Sequence, residues 1–229
     1  MHHKMRKPFA VLTSAALAST LWFGAAVPGA SAEELLKITY PDVGENHWAR
    51  VPVAKLASAG IIRGYSDGSF QPSRAVSQQE AIVMVLRMMG HYDDKLPDPD
   101  NVAVVGLEVD SFFKKFVIKA IQEGLIKLGE ETTAAAQGDE PWGKRAATRE
   151  WIAKLMVRSL GVQPASGALP FADANQISSA SAGFVLKSQQ LGLVKGYADN
   201  TFRPGNAVTR AELVTILSRA DEFYEDDED

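Results

Sequence analysis

An internal repeat is the strongest constraint on the fold of this chain. Residues 60–72 read GIIRGYSDGSFQP and residues 192–204 read GLVKGYADNTFRP, and the two segments align without a gap. A weaker third copy begins at Gly124 with the run GLIK. The three leading glycines, at positions 60, 124 and 192, indicate three units of similar length. One unit of this size cannot bury its apolar side chains alone, so the units are expected to pack together.

Each unit is predicted to form a helix, a turn and a second helix. The first helix ends at the leading glycine, which tolerates the left-handed backbone conformation. Ser77 followed by Glu80, and Thr209 followed by Glu212, are capping boxes at which a second helix begins. In the middle unit the cap is Thr148, but Trp151 takes the place of the glutamate, so half of the motif remains. The fold class is therefore mainly α.

The N-terminus has the order of a secretory signal peptide. Cations at Lys4, Arg6 and Lys7 precede an apolar run from about residue 9 to residue 27. Small residues then lead to an expected cleavage after Ala32. An uncleaved membrane anchor is the alternative, but polar residues interrupt the apolar run. We expect a secreted protein with no membrane association after cleavage.

Composition and charge exclude several classes of protein. The chain has no cysteine, so disulfide scaffolds and thiolate metal sites are ruled out. Residues 33–220 hold 21 cations and 21 acids, and seven further acids lie in the last nine residues. Nucleic acid binding needs an excess of cations, so a nucleic acid partner is not expected. The two histidines that follow the signal peptide are too few for a convincing zinc site, and no cofactor is expected.

The repeated motifs resemble those of the S-layer homology (SLH) domain. The similarity rests on Tyr40-Pro41-Asp42 and Phe171-Ala172-Asp173, on Trp48, on the Gly-Tyr turns and on the Thr-Arg-Ala-Glu helix start at Thr209. The resemblance implies three tandem repeats that form a pseudo-threefold trimer around a central three-helix bundle. It divides the chain into a signal peptide (1–32), unit one (33–92), unit two (93–163, with an enlarged loop at 129–147), unit three (164–220) and an acidic tail (221–229).

The resemblance also implies a function at the cell surface or cell wall. In that family, grooves between the repeats bind a peptidoglycan-linked secondary cell wall polysaccharide of Gram-positive bacteria, commonly through a pyruvylated N-acetylmannosamine, and tether surface proteins non-covalently. The corresponding candidate ligand-binding residues in this chain are Arg210, Arg149, Thr209, Thr148, Gly196, Tyr197, Lys195, Gly64, Tyr65, Arg63, Asp42, Asp173, Trp48, Ser77 and Gln78.

The chemistry of these residues suits an acidic sugar. A pyruvate ketal carries a carboxylate, which Arg149 and Arg210 meet with a planar guanidinium at the start of a helix, where free amides are also expected. Gln78 is the neutral counterpart in unit one. The glycines before Tyr65 and Tyr197 are expected to let the backbone approach a sugar ring.

Several roles remain open from the sequence alone. Tyr65 and Tyr197 suit either the core or a ligand platform, whereas Phe70 and Phe202 are expected in the core. Asp42 and Asp173 are expected either to accept sugar hydroxyls or to cap a first helix. Trp48 suits an apolar sugar face, but no tryptophan recurs at its place in the other units. One position of the second helix recurs as arginine in all three units and predicts an inter-unit salt bridge or a groove lining: Arg87, Arg158 and Arg219.

The units differ in how much of the motif they keep. Unit one lacks the arginine, unit two lacks the Gly-Tyr turn, and unit three has both. If a groove combines the turn of one unit with the helix start of a neighbour, Arg149 is expected to serve the turn of unit one. We therefore predict one or two working grooves.

Two other functions compete with wall anchoring. A small envelope adaptor would use the acidic tail to recruit a surface-protein partner, although the acids are expected to be solvated. A polysaccharide-acting enzyme would need a pair of catalytic carboxylates, and no distinct catalytic domain is evident. We expect a protein that is not an enzyme.

Overall fold

The computed structural model describes residues 38–96, 104 and 106–225, so the predicted signal peptide lies outside the described residues. Within them the chain is helical, as predicted, and forms seven α-helices. Their bounds are Arg50–Ser58 (α1), Gln78–Met88 (α2), Lys114–Gln122 (α3), Leu128–Ala135 (α4), Arg149–Ser159 (α5), Ser179–Gln190 (α6) and Arg210–Glu225 (α7). Short 3₁₀ helices span Ser111–Phe113, Trp142–Lys144 and Ala174–Gln176.

Local signals at both ends of the helices follow the sequence prediction. The glycines after α1, α3 and α6 have φ values of 70°, 72° and 70°, in the left-handed region that ends a helix. Ser77 and Glu80 form both halves of a capping box at α2. At α5 the Thr148 hydroxyl accepts a hydrogen bond from the amide of Trp151, which is the predicted half of the motif. The cap of α7 pairs Thr209 with Glu212 in the same way as the cap of α2.

The three units are joined in a ring by single antiparallel bridges. Residue 75 of unit one pairs with residue 209 of unit three, residue 146 of unit two with residue 77 of unit one, and residue 207 of unit three with residue 148 of unit two. Each bridge joins the capping residue of one unit to the residue two before the cap in the next. The third unit thereby closes onto the first.

Helix packing follows the same cyclic order. The second helix of each unit packs against the first helix of the following unit, which pairs α2 with α3, α5 with α6 and α7 with α1. Helix α2 also contacts both other capped helices, α5 and α7. The expected central three-helix bundle is compatible with these contacts and stays a prediction.

One hydrophobic core runs through all three units. Phe70, Phe116 and Phe202, one from each unit, have no exposed surface. They belong to a single cluster with the apolar faces of α2, α5 and α7. Burial of this shared apolar surface is what makes the three units one folding body.

Unit two departs from the predicted enlarged loop. Much of the stretch 129–147 is ordered as helix α4 and the 3₁₀ turn that begins at Trp142. Alanine favours helix, and Glu130 and Glu131 lie in the first turn, where they complement the helix dipole. The glycines and threonines of this stretch disfavour helix, which is why the sequence pattern predicted a loop.

The C-terminal acidic segment begins as helix. Helix α7 continues to Glu225, and Asp221 pairs with Lys55 of α1 at 2.9 Å. The remainder of the predicted tail, residues 226–229, lies outside the described residues. None of the helices described is long and apolar enough to cross a membrane.

Candidate functional site: three grooves between the repeats

Two buried arginines connect neighbouring units. Arg210 donates from Nε to the carbonyl of Phe70 at 2.8 Å and from Nη2 to the carbonyl of Arg63 at 2.9 Å. Arg149 makes the equivalent bonds in unit three, to the carbonyls of Phe202 at 2.7 Å and Lys195 at 2.8 Å. Each arginine is 6% exposed. Each arginine side chain therefore donates hydrogen bonds to both ends of the Gly-Tyr turn in the unit that follows its own in the ring.

Aromatic rings surround the same two guanidinium groups. The Arg210 guanidinium carbon lies 4.7 Å from the ring centroid of Tyr65, and that of Arg149 lies 4.5 Å from the ring centroid of Tyr197. Phe70 and Phe202 lie beneath the same groups and are fully buried, which confirms their core role. Tyr65 and Tyr197 are half-buried, so each ring packs against its arginine and is also partly exposed to solvent.

Burial affects both guanidinium groups in the same way. It lowers the pKa of Arg149 and of Arg210, although nearby acidic groups and tyrosines oppose the shift. An arginine does not deprotonate in proteins, so both remain charged. Among the described residues, both guanidinium groups donate through Nε and Nη2, and Nη1 of neither makes a hydrogen bond.

The pairing between arginine and turn differs from the sequence prediction. We expected Arg149 to serve the turn of unit one, but it serves unit three, and Arg210 serves unit one. The reason is the direction of the ring, in which each second helix packs against the unit that follows it. Each of the two Gly-Tyr turns is therefore bonded by one arginine, which comes from the preceding unit.

The helix-start amides also have other partners than expected. The amide of Arg149 donates to the carbonyl of Asn206 at 3.0 Å, and that of Arg210 donates to the carbonyl of Arg74 at 2.9 Å. These bonds hold the units together, so the expectation that these two amides face a ligand is wrong. The charge at the site comes from the side chains.

Three grooves result, at corresponding positions in the three units, and each gathers residues from all three units. The unit-one groove has a volume of about 320 Å³ and is lined by Arg63, Gly64, Tyr65, Glu80, Phe112 and Arg210 among others. The unit-three groove, of about 150 Å³, is lined by Trp48, Arg149, Lys195, Glu212 and Arg219. The unit-two groove, of about 240 Å³, is lined by Gln78, Glu130, Glu131, Thr148, Trp151 and Lys154.

One aromatic side chain stands at the rim of each arginine-containing groove. Trp48 is 62% exposed and Phe112 is 51% exposed. Trp48 lies just before α1, and its ring stacks on that of His47 at a centroid distance of 5.6 Å. Both rings are available to a ligand in the adjacent groove, and Phe112 is a groove residue that our sequence-based candidates omitted.

Asp42 and Asp173 hold the turns from behind. The Asp42 carboxylate accepts from the amides of Phe70 at 2.8 Å and Gln71 at 2.6 Å. Asp173 accepts from the amides of Phe202 and Arg203, each at 2.7 Å. Neither carboxylate caps a first helix, so that alternative is wrong.

These carboxylates stabilise an unusual backbone. Gln71 and Arg203 have φ values of 58° and 56°, in the left-handed region that side chains disfavour. Burial raises the pKa of Asp42 and Asp173, but the two amide bonds lower each by more, so both pKa values lie below the ordinary range. The aspartates thus fix the turns from which the groove carbonyls project.

The turn glycines admit an aromatic ring of the protein itself. A Cβ at Gly64 would lie 2.7 Å from the Ser69 carbonyl oxygen and would overlap the Tyr40 ring. At Gly196 it would lie 2.8 Å from the Phe171 ring. The close approach predicted for a sugar is therefore made by Tyr40 and Phe171.

Of the three arginines that recur along the second helices, Arg87 alone forms the predicted inter-unit salt bridge among the described residues. Arg219 donates to the carbonyl of Leu193 and Arg158 to Glu130 and the carbonyl of Leu125, all within their own units. Arg87 of unit one forms a bidentate pair with Asp93, the first residue of unit two. Arg87 and Arg219 also line their grooves, which was the alternative prediction.

The unit-two groove contains a buried carboxyl group that our sequence-based candidates omitted. Glu131 is 3% exposed and accepts hydrogen bonds from the indole of Trp142 at 3.0 Å and the indole of Trp151 at 3.2 Å. Burial raises its pKa. Gln78 occupies the place that arginine has in the other two grooves. Among the described residues, no group of three or more histidine or acidic side chains is arranged to hold a metal ion.

The fold and the grooves place this chain in the class of helical repeat proteins that have grooves where successive repeats meet. The S-layer homology domain model matches residues 39–82 and 170–214. These two segments are S-layer homology domains, in the positions of units one and three.

The relatives are much longer than this chain. A surface-layer 125 kDa protein of Lysinibacillus sphaericus is 24% identical over 95% of this chain and 17% of its own length. The S-layer protein sap of Bacillus anthracis is 24% identical over 81% of this chain and 22% of its own length. An amylopullulanase of Thermoanaerobacterium thermosulfurigenes is 25% identical over 78% of this chain and 9% of its own length. The first two names and the domain family agree with the expected cell-surface location.

Proposed function

We propose that this chain is a non-catalytic module that anchors a surface protein to the bacterial cell wall by binding an acidic secondary polysaccharide. The observation that carries the proposal is the pair of matched grooves, in which Arg149 and Arg210 each line a cavity with two of three guanidinium nitrogens fixed by the protein. Relatives as different as S-layer proteins and an amylopullulanase share the segment, which supports a common attachment role.

The ligand proposed is a sugar with a fixed carboxylate, such as a pyruvate ketal on N-acetylmannosamine. The Nη1 atoms of Arg149 and Arg210 suit one carboxylate oxygen each. A charge-assisted hydrogen bond contributes about 1.5–3 kcal/mol. Lys195, which is exposed at the unit-three groove, adds a second cation.

The rim aromatics suit the apolar face of the sugar. Trp48 at the unit-three groove and Phe112 at the unit-one groove stand beside the arginines and present exposed rings. An aromatic ring buries a large apolar area against a flat ligand face. We propose that these two grooves bind the polymer and that the unit-two groove, with Gln78 instead of arginine, does not bind its acidic end.

A pull-down with isolated wall sacculi tests the proposal. We expect binding to intact sacculi, loss of binding after chemical removal of the secondary polymer, and weakened binding after acid cleavage of ketal-linked pyruvate. Equal binding to stripped and intact walls would overturn the polymer, and binding that is indifferent to pyruvate removal would overturn the carboxylate.

Variants in exposed groove residues separate binding from folding. Trp48→Ala together with Lys195→Ala is expected to weaken wall binding about tenfold or more with little effect on folding, since both side chains are exposed at this groove. Lys114→Ala removes an exposed cation outside the described grooves and is the matched control. The arginine pair Arg149→Ala and Arg210→Ala must abolish binding, with circular dichroism recorded in parallel because both also join the units.

A further inference from the structure

We infer that the unit-two groove is a second kind of site, for a sugar that carries an ammonium group and no carboxylate. The inference rests on the proposed role of the inter-unit grooves in glycan binding. It assigns to this groove a ligand of opposite charge to that of the other two.

An unpartnered buried atom points to a ligand in this groove. Gln78 is 9% exposed and lines the cavity, and its Oε1 is buried with no hydrogen-bond partner among the described residues. A buried acceptor without a partner costs about 1–3 kcal/mol. In the other grooves the equivalent arginine donates hydrogen bonds to two carbonyls of a turn, but here helix α4 stands in place of that turn. A ligand hydroxyl or ammonium would supply the missing donor.

The charges of the lining favour a cation. Three carboxyl groups face the cavity, from Glu130, Glu131 and Glu150, against the single ammonium of Lys154. Glu130 is neutralised, because it lies 3.0 Å from Arg158 and 3.5 Å from Lys154. Glu131 and Glu150 accept hydrogen bonds from two indoles and from the Ser178 amide, respectively, but neither has an ion pair among the described residues. A ligand ammonium would compensate them, whereas a carboxylate would add repulsion.

The remaining lining has the composition of a sugar site. Trp151 is half-buried at the groove, and its indole N–H is directed to Glu131, so the ring is held in place. The hydroxyl residues Thr148, Ser178 and Ser181 complete the polar lining. Burial holds the pKa of Glu131 above its ordinary range, and a bound ammonium would reverse that shift. An amino sugar combines the required ammonium, hydroxyl donors and apolar ring face.

Nuclear magnetic resonance of the unaltered chain with two probes tests this inference. A glucosamine tetrasaccharide is expected to shift the indole N–H signals of Trp142 and Trp151 in a saturable manner. A galacturonate tetrasaccharide of the same length is expected to leave them in place. Equal shifts with both probes, or no indole shift with glucosamine, would overturn the inference.

Variants at position 78 assign the effect to the groove. Gln78→Leu removes the unpartnered acceptor at similar volume and is expected to weaken glucosamine binding about threefold to tenfold, the worth of one hydrogen bond. Gln78→Arg introduces the residue type found in the other two grooves and is expected to shift the binding preference of the unit-two groove from glucosamine toward galacturonate. Unchanged preference in a folded Gln78→Arg variant would contradict the charge argument.

The magnetic resonance experiment and the wall pull-down test the two proposals separately. Loss of the polymer pull-down with intact glucosamine shifts would refute the proposed anchoring and retain this site. Retained pull-down without indole shifts would refute this site alone.

Discussion

The guanidinium carbon of Arg210 lies 4.7 Å from the ring centroid of Tyr65, although the two residues belong to the last and the first unit. The same side chain bonds two carbonyls of the first unit. Arg149 repeats the arrangement between units two and three. One residue type thus closes the ring of repeats and supplies the charge of a groove, so stability and binding are coupled at these positions.

Replacing Arg210 by lysine tests the closing contact. Arg210→Lys is expected to lower the free energy of unfolding by about 2–3 kcal/mol, because an ammonium cannot reach both carbonyls with fork geometry and stacks less well on the tyrosine. Urea unfolding followed by circular dichroism measures the change. Arg63→Lys, an exposed arginine of the same groove, is the control and is expected to change stability by less than about 0.5 kcal/mol. Equal effects of both substitutions would contradict the closing role.

Gly64 tests the contact between the turn and Tyr40. Gly64→Ala is expected to destabilise the chain by about 2 kcal/mol or more, because its Cβ would overlap the Tyr40 ring and the Ser69 carbonyl oxygen. Gly44→Ala is the matched control in the same unit, since a Cβ there meets nothing within 4 Å. Thermal unfolding compares the two. A Gly64→Ala protein as stable as Gly44→Ala would show that the turn relaxes freely.

Local features of the fold were predictable from the sequence, and contacts across the ring were not. The capping pairs at Ser77 and Thr209 and the glycine at position 60 depend on residues close in the chain, so their pattern is visible in the letters. The partner of Arg149 depends on the direction in which the ring closes, and the motifs are identical for either direction. The groove arginine was therefore predictable from the sequence, whereas the unit that it contacts was not.

The buried carboxyl of the unit-two groove could not be predicted from the sequence for a different reason. Glu131 lies in a stretch rich in glycine, alanine and threonine, a composition that also suits a loop. Its two indole partners lie 11 and 20 residues further on. A buried carboxyl is recognisable only when the surrounding helices are in place, since nothing in its local sequence differs from a solvated glutamate. The substitution of Trp151 for a capping glutamate was the one signal in the sequence.

Asp173 gives a prediction for pH dependence. Its pKa is lower in the folded protein than in the unfolded chain, since the amides of Phe202 and Arg203 outweigh its burial. Its contribution to stability is therefore complete above the unfolded pKa of about 3.9 and is lost as pH falls through the folded pKa. The stability difference between the wild-type chain and Asp173→Asn is expected to be largest near pH 7 and to shrink below about pH 4.

Urea unfolding at several pH values checks this expectation. Other carboxyl groups cancel in the comparison because both proteins carry them. Asp42→Asn serves as a parallel test in unit one, where the same two amide bonds are made. A difference that stays constant from pH 7 to pH 3 would contradict the role of the ionised carboxylate.

The cap of α7 gives a final prediction, on how much a single helix start contributes to the closed ring. Thr209→Ala is expected to lower the free energy of unfolding by about 1–2 kcal/mol, because the amide of Glu212 loses its acceptor and the Glu212 carboxylate loses the hydroxyl donor. Thr209→Ser keeps the hydroxyl and is expected to recover most of the loss. Thr215→Ala removes a hydroxyl bonded to the Ala211 carbonyl within the same helix and is expected to be nearly neutral. If Thr209→Ala were as neutral as Thr215→Ala in urea unfolding, the bridge to residue 75, and not the cap, would be holding this helix start in place.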